Sequence, residues 1–237
     1  MQIKLTLCPE APCSIPLNYN YQVQSAIYRL LEFHPDYSAF LHDTGYGLGA
    51  ARFRLFTFGK IKGDCCVSNG RMNITGKINL ELRSISDEFC RILKAALVRS
   101  EKLRLFGVYF DIRMIEAEYR EITEERLYII TSSPIVARFR DGSGKTFYYS
   151  PADTEFEKLL LENLRQKYAV FCEAPLDDRF SIKADTMRKV VTRYKDIWIT
   201  AYHGKFHLEG SRTLLNLAYQ TGLGSRSSQG FGMFDVI

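Results

Sequence analysis

GLGSRSSQGFG, residues 222–232, carries four of the chain's 16 glycines, at 222, 224, 230 and 232. Upstream, Ser211 is suited to cap a helix with Leu214, Leu217 and Ala218 on its apolar side, and Gly222 ends it. Downstream, GFGMFDVI reads as a strand. Glycine allows positive φ and close approach of another chain. Successive free N–H groups in such a loop can bind phosphate. Ser225, Arg226, Ser227 and Ser228 add donors, and Arg226 adds charge. The loop is neither a P-loop nor a dinucleotide fingerprint, because it lacks Gly-Lys-Ser/Thr and follows a helix. The plain alternative is a flexible connector.

Working outward, helix, loop and strand complete a β-α-β-β-α-β order. LYIITSSPIVARF (127–139) reads as the first strand, bent at Pro134. Ser150-Pro151 suggests an N-cap and first-turn proline for a helix with the stripe Phe156, Leu159, Leu160, Leu164, Tyr168 and Phe171. RFSIKAD and WITAYHGKFHL read as two strands. The first half repeats the order. Residues 1–7 alternate as a strand, and Val23, Ala26, Ile27, Leu30 and Leu31 mark a helix stopped by Pro35. A short helix over Tyr37 to His42 is expected next, then RFRLFTFGKI as one strand. A hairpin follows through Asp64 to Leu82, with turn signals at Asn69-Gly70 and Gly76. Ser86 caps a helix buried through Phe89, Ile92, Leu93, Ala96 and Leu97, and LFGVYFDIRMI (105–115) reads as a strand. The fold class is α+β: two tandem ferredoxin-like (RRM-like) domains, 1–120 and 121–237, the second bearing the basic hairpin and glycine-rich loop.

The chain has 237 residues, 46% hydrophobic and 25% charged, as in an ordinary globular protein. Its longest apolar run is five residues, Tyr168 to Cys172, against the ~20 a membrane helix needs. No membrane partner is expected. Cys8, Cys13, Cys65, Cys66, Cys90 and Cys172 form no C-x-x-C pair, so a zinc site is not expected and reduced thiols in the cytoplasm are. Net charge is +5, and residues 179–195 alone hold six basic residues against one acid. That segment points to an anionic partner, against the alternative of a solvated basic hairpin.

His203 and His207 would make a metal pair on a helix. On a strand they stand ~13 Å apart, so we expect no shared ion. His42 lies before a loop bearing Gly45, Gly47 and Gly49, well placed for proton transfer near pH 7. Tyr28 falls on the flank of its helix, and Arg52 and Arg54 share one strand face. A His, a Tyr and an Arg from adjacent elements can surround a scissile phosphate. The His exchanges protons, the Tyr orients the attacking group and the Arg stabilises the charged transition state. No carboxylate cluster suited to magnesium is apparent.

Read together, these motifs resemble the CRISPR-associated endoribonucleases of the RAMP superfamily, which cut repeat RNA into guide RNAs. GLGSRSSQGFG matches that family's C-terminal glycine-rich loop, and QSAIYRLL, FLHD and RFRLFTFGKI support the match. The resemblance implies attack of the 2′-OH on the adjacent phosphate, giving a 2′,3′-cyclic phosphate and a 5′-OH without metal or cofactor. It matches His42 and Tyr28 to residues that members use. Arg54 stands where some members have a lysine, and an arginine keeps the charge without readily giving up a proton. Lys60 and Lys62 remain as substitutes. Lys183, Arg188, Lys189, Arg193 and Lys195 lie where members place a hairpin against RNA; with Gly222, Gly224, Ser225, Arg226, Gly230 and Gly232 they form the expected RNA-binding set. The implied partners are CRISPR repeat RNA and, further, a multi-subunit guide-RNA effector complex, with the chain a monomer or homodimer. Two rivals stand beside the nuclease. One is a non-cleaving relative that holds guide RNA; the other is a ferredoxin-like enzyme binding a small molecule or nucleotide.

Overall fold

The computed structural model describes residues 1–49, 51–172 and 175–237. The alternation at the start of the chain becomes β1 (Gln2–Pro9), with Ile3, Leu5 and Leu7 buried. After β2 (Cys13–Pro16), helix α1 (Asn20–Leu31) buries Val23, Ala26, Ile27, Leu30 and Leu31, the stripe its spacing requires. Pro35 opens the short α2 (Pro35–Ala39), which runs into a π-helical turn over Phe40–Thr44. The RFRLFTFGKI stretch is not one strand. Leu55 has φ 53°, and this left-handed residue splits it into β4 (Ala51–Phe53) and β5 (Phe56–Phe58). β4 pairs with β3 (Tyr46–Leu48) in a separate two-stranded flap.

β6 (Lys62–Ser68) and β7 (Arg71–Ser84) turn at Asn69-Gly70, both at positive φ, the pair a two-residue hairpin needs. Gly76 makes no turn. It lies inside β7, where a Cβ would meet the Asp64 carboxylate at 2.6 Å, and Asp64 accepts from the Lys77 amide at 2.9 Å. Ser86 caps α3 (Asp87–Ser100) by accepting from the Phe89 amide. The expected strand 105–115 is instead a hairpin of β8 (Lys102–Leu105) and β9 (Val108–Glu118), turning at Phe106-Gly107 with φ 51° and 80°. β1 lies between β7 and β9, and β5 and β6 pair with β7, all antiparallel. That is the ferredoxin-like arrangement, with the first strand beside the third and fourth. Phe56 and Phe58 are fully buried under it, each contributing about 2–3 kcal/mol of burial.

The second half starts with β10 (Arg126–Thr131), then the small hairpin β11 (Ala137–Arg140) and β12 (Thr146–Tyr149). Helix α4 (Thr154–Ala169) begins later than Ser150-Pro151 suggested. Asp153 is its N-cap, and Ser150 and Pro151 form the preceding turn, with the Asp153 carboxylate accepting from the Ser150 amide at 2.6 Å. β13 (Phe180–Tyr194) and β14 (Ile197–Gly210) make a long hairpin. Ser211 caps α5 (Arg212–Thr221), the glycine loop contains a short 3₁₀ turn over Ser227–Gln229, and β15 (Phe234–Val236) closes the sheet in the order β13-β14-β10-β15. Both halves thus carry the same strand order. No helix among the described residues is long and apolar enough to cross a membrane.

The halves are locked together at several points. Arg83 of β7, 2% exposed, donates to Asp235 at 2.6 Å, to the Phe234 carbonyl and to Glu81, and lies 3.9 Å over the Tyr219 ring. Thr57 donates to the Phe231 carbonyl at 3.1 Å. At the end of the long hairpin, Tyr194 donates to Gln24 of α1, and the Lys195 ammonium lies 4.6 Å over the Tyr21 ring.

Candidate active site and nucleic-acid interface

An open groove of about 710 Å³ runs between the halves. Helix α1 supplies Tyr21, Gln24 and Tyr28, spaced so that they share one helix face. The π-helical turn supplies His42, the flap and the Leu55 break supply Arg52 and Arg54, and the hairpin tip supplies Lys195. The glycine loop closes it with Arg226, Ser228 and Gln229.

The His42 and Tyr28 rings meet edge to face with centroids 5.6 Å apart. The Asp43 carboxylate binds His42 Nδ1 at 2.6 Å, which leaves Nε2 for a substrate. Arg54 donates to the His42 carbonyl at 2.6 Å, fixing its guanidinium beside the turn. Burial pushes the Tyr28 hydroxyl pKa up, while the charge and hydrogen bonding of Arg54 pull it back. Gly45 ends the π turn at φ 59°, its amide bonded to the Phe40 carbonyl at 2.6 Å. A Cβ there would strike the Arg54 guanidinium and meet the Phe53 carbonyl at 2.7 Å. The left-handed φ and the lack of space both call for glycine.

Thus Tyr28, His42 and Arg54, chosen from sequence, face one groove, with Arg52 beside them. Lys60 and Lys62 do not share it. They line a separate cavity of about 290 Å³ with Lys4, Glu81 and Ser132. There the charges of Lys60, Arg188 and Lys62 add to burial in pushing the His203 imidazole down to about 4. Burial, with Arg188 nearby, also lowers the Lys60 pKa.

The basic stretch 179–195 is a rail, not a patch. Lys183 pairs with His207 and Arg188 with His203, so these stand on one face. Lys189 pairs with Tyr202 and Arg193 with Trp198, so they stand on the other, and Arg193 is tied to Asp196 at 2.8 Å. Of the five, Lys195 reaches the groove. His203 and His207 do lie on a strand, as expected; His207 stacks on Tyr128 with centroids 4.6 Å apart.

The glycine loop meets the expectation of a row of free amides only in part. Gly222, Gly224, Gly230 and Gly232 are buried. The amides of Gly222, Leu223, Ser225, Gly230 and Gly232 bond to carbonyls of the protein. At Gly224, φ 75°, a Cβ would meet the Val136 carbonyl at 2.5 Å. The glycines therefore let the loop pack between the halves, while the amides of Arg226, Ser227 and Ser228 make no hydrogen bond among the described residues. Asn20 holds the loop from α1, donating to the Gln229 and Gly230 carbonyls at 2.8 and 3.1 Å. From below, the buried Lys167 ammonium donates to the carbonyls of Thr221, Gly222 and Gly224 at 3.3, 2.6 and 3.4 Å. With no carboxylate among the described residues bound to it, burial pushes its pKa down to about 7.

Sequence reasoning missed Asp43, Gln24 and Lys167. Asp43 had a signal, since a carboxylate next to a histidine can orient its ring. Lys167 was hidden by its spacing, which falls on the buried side of α4 between Leu164 and Tyr168.

Comparison with known proteins agrees with this architecture. The family model "CRISPR associated protein Cas6, C-terminal" matches residues 116–236, and "CRISPR-associated protein Cas6, N-terminal" matches residues 14–116. The CRISPR-associated endoribonuclease Cas6 1 of Methanocaldococcus jannaschii is 30% identical, covering 98% of this chain and 91% of that protein. The CRISPR-associated endoribonuclease Cas6 of Pyrococcus furiosus is 25% identical, covering 100% and 90%. The solved structure of the product of a Cas6-related gene from Pyrococcus furiosus has the same fold, with TM-score 0.87, 24% identity and coverage of 100% and 98%. A Cas6 model thus matches each half, the second over more than half of the chain, and a 30% identical relative spans nearly all of it: the chain belongs to the Cas6 family of CRISPR-associated proteins.

Proposed function

We propose that this chain cleaves CRISPR repeat RNA into guide RNAs by transesterification within the strand, without a metal ion. The convergence of Tyr28, His42 and Arg54 on one groove carries the reading. The RNA lies with its scissile phosphate between them. The 2′-OH passes its proton to a water and attacks the adjacent phosphorus, with Tyr28 orienting the attacking group. The bond from phosphorus to the 5′-oxygen breaks, and that oxygen takes a proton from His42 Nε2. The products are a 2′,3′-cyclic phosphate and a 5′-OH. Arg54 stabilises the extra negative charge on the phosphorane and does not move a proton, because a guanidinium holds its protons at any working pH. Asp43 holds the His42 ring through Nδ1, a geometry suited to proton transfer at Nε2.

The names of the Methanocaldococcus jannaschii and Pyrococcus furiosus relatives support the nuclease reading. The exposed charge of Lys183, Arg188 and Lys195 supports extended RNA contact along the hairpin. The six free cysteines fit work in the reducing cytoplasm. A guide-RNA effector complex is the further partner we propose.

The test is cleavage of the host's repeat RNA in EDTA, by wild type and His42→Ala, with a parallel substrate carrying a 2′-deoxy sugar at the cut. We expect wild type to cut in EDTA and to spare the deoxy substrate, and His42→Ala to lose roughly 10²–10⁴-fold in rate while still binding. Tight binding without cutting by wild type sinks the nuclease and leaves the protein that holds guide RNA.

A further inference from the structure

The one arginine of the glycine loop is short of partners. Arg226 is a non-glycine residue at φ 64°, a backbone conformation that side chains rarely adopt. One of its terminal nitrogens donates to the Gln229 side chain at 2.8 Å. Its Nε is buried and bonded to nothing among the described residues. A second cation, Arg138, stands close enough to feel its charge. Val136 and Gly224 form a parallel bridge, and the Ser225 amide bonds to the Val136 carbonyl at 2.9 Å. Two residues further along each chain come Arg138 on β11 and Arg226, near enough for the charge of one to act on the other. Arg138 is half-buried, and burial, helped by the Arg226 charge, holds its guanidinium below the usual arginine range. Among the described residues, neither guanidinium has a carboxylate within 4.0 Å.

Two neighbouring cations without an acid cost free energy unless an anion joins them. Two planar forks brought to one anion suit the oxygens of a phosphate. Arg226 also lines the groove that holds His42.

We propose that Arg138 and Arg226 together form a phosphate site, and that it holds a backbone phosphate of the bound RNA other than the one being cut. The anion site stands on the arginine pair; its assignment to RNA rests on the function proposed above. The strained backbone at Arg226 and its unpartnered Nε then have one explanation: the loop is shaped to bring this guanidinium to its ligand before the ligand arrives. The site adds binding strength and register along the groove and no chemistry, since Arg54 already serves the reacting phosphate.

Two arms test this on the full chain. In the first, inorganic phosphate is titrated while thermal unfolding is followed, for wild type, Arg138→Gln, Arg226→Gln and Arg138→Lys, each first shown by circular dichroism to be folded. Phosphate is expected to raise the melting temperature of wild type, to lose that effect in both Gln variants, and to keep part of it in Arg138→Lys, which retains charge without the fork. Protection of the Gln variants equal to that of wild type, or protection of none, overturns the site. In the second arm, repeat-RNA affinity is measured against salt concentration. Each Gln variant is expected to bind about tenfold or more weakly. The slope of log affinity against log salt should fall by about 0.7 for the lost phosphate contact. Phosphate protection lost with RNA affinity and slope unchanged overturns the RNA assignment and keeps the anion site. If wild type binds no repeat RNA, the proposed function fails, and the phosphate arm still decides the site.

Discussion

The two halves share an element order and differ in which connection they lengthen. Between first helix and second strand, the N-terminal half inserts α2, the π turn, the flap and the Leu55 break, and this insertion carries His42, Arg52 and Arg54. At the same point the C-terminal half passes directly from α4 to β13. Between second and third strands the emphasis reverses. The C-terminal hairpin has strands of 15 and 14 residues, against 7 and 14 for β6 and β7. Under the function proposed above, one copy of the fold is the chemical half and the other a cationic arm. The groove forms because the arm's tip returns to α1 of the chemical half. A shared topology fixes where the core lies and leaves the connections free to acquire roles.

The comparison can be broken hardest where the halves are joined. Arg83→Ala removes the buried cation that Glu81 and Asp235 share, leaving Asp235 with Lys62 at 3.7 Å, and is expected to cost about 3 kcal/mol of stability, the low end for a broken buried pair because both acids keep some water. Chemical denaturation reads it, and a second transition would show the halves unfolding apart. Gly45→Ala strikes the chemical half alone. Displacing the Arg54 guanidinium from the π turn should lower the cleavage rate by roughly 10²-fold while RNA affinity changes little. An unchanged rate would remove Arg54 from the reaction. Lys183→Ala and Arg188→Ala probe the arm. Each should weaken RNA binding and flatten its salt dependence by about 0.7 in log–log slope, with the rate at saturating RNA intact. Equal loss of rate would erase the division of labour. The smallest effect concerns His203. The unfolded chain binds a proton there near pH 6.5 and the folded chain only near 4, so stability from this group falls as pH drops through that window. Thermal unfolding of His203→Gln against wild type should show a difference between melting temperatures that changes across pH 6.5 to 4; a constant difference refutes it.

Much of the frame was legible before any coordinates. The stripe of α1 and the caps Ser86 and Ser211 depend on neighbours three and four residues away, which a sequence displays directly. So did the placement of Tyr28, His42 and Arg54 around one groove, because all three sit near the ends of local elements. What escaped notice depended on single backbone angles or distant contacts. Nothing in Arg-Phe-Arg-Leu-Phe announces that Leu55 turns left-handed; that angle is held from far along the chain, where Ser84 donates to the Leu55 carbonyl at 2.8 Å. Gly76 looked like a turn because glycine serves turns and close approaches alike, and here it serves the Asp64 carboxylate. The glycine loop was recognised for its composition, and its physics divides in two. Its glycines make room for protein on both sides, and the amides of Gly222, Gly230 and Gly232 are already bonded, while those of Arg226, Ser227 and Ser228 make no hydrogen bond among the described residues. Arg138 was unremarkable until the parallel bridge between Val136 and Gly224 brought its strand to the loop that carries Arg226.

The contact between Tyr194 and Gln24 joins residues 170 positions apart. Neither half made alone would possess a complete groove: the first would lack its basic wall, the second its histidine. Two separately produced fragments that cut RNA only when mixed would follow directly. Over generations, a change at the tip of the arm would be tolerated only with a matching change on α1, so these two distant positions should drift as a single inherited unit.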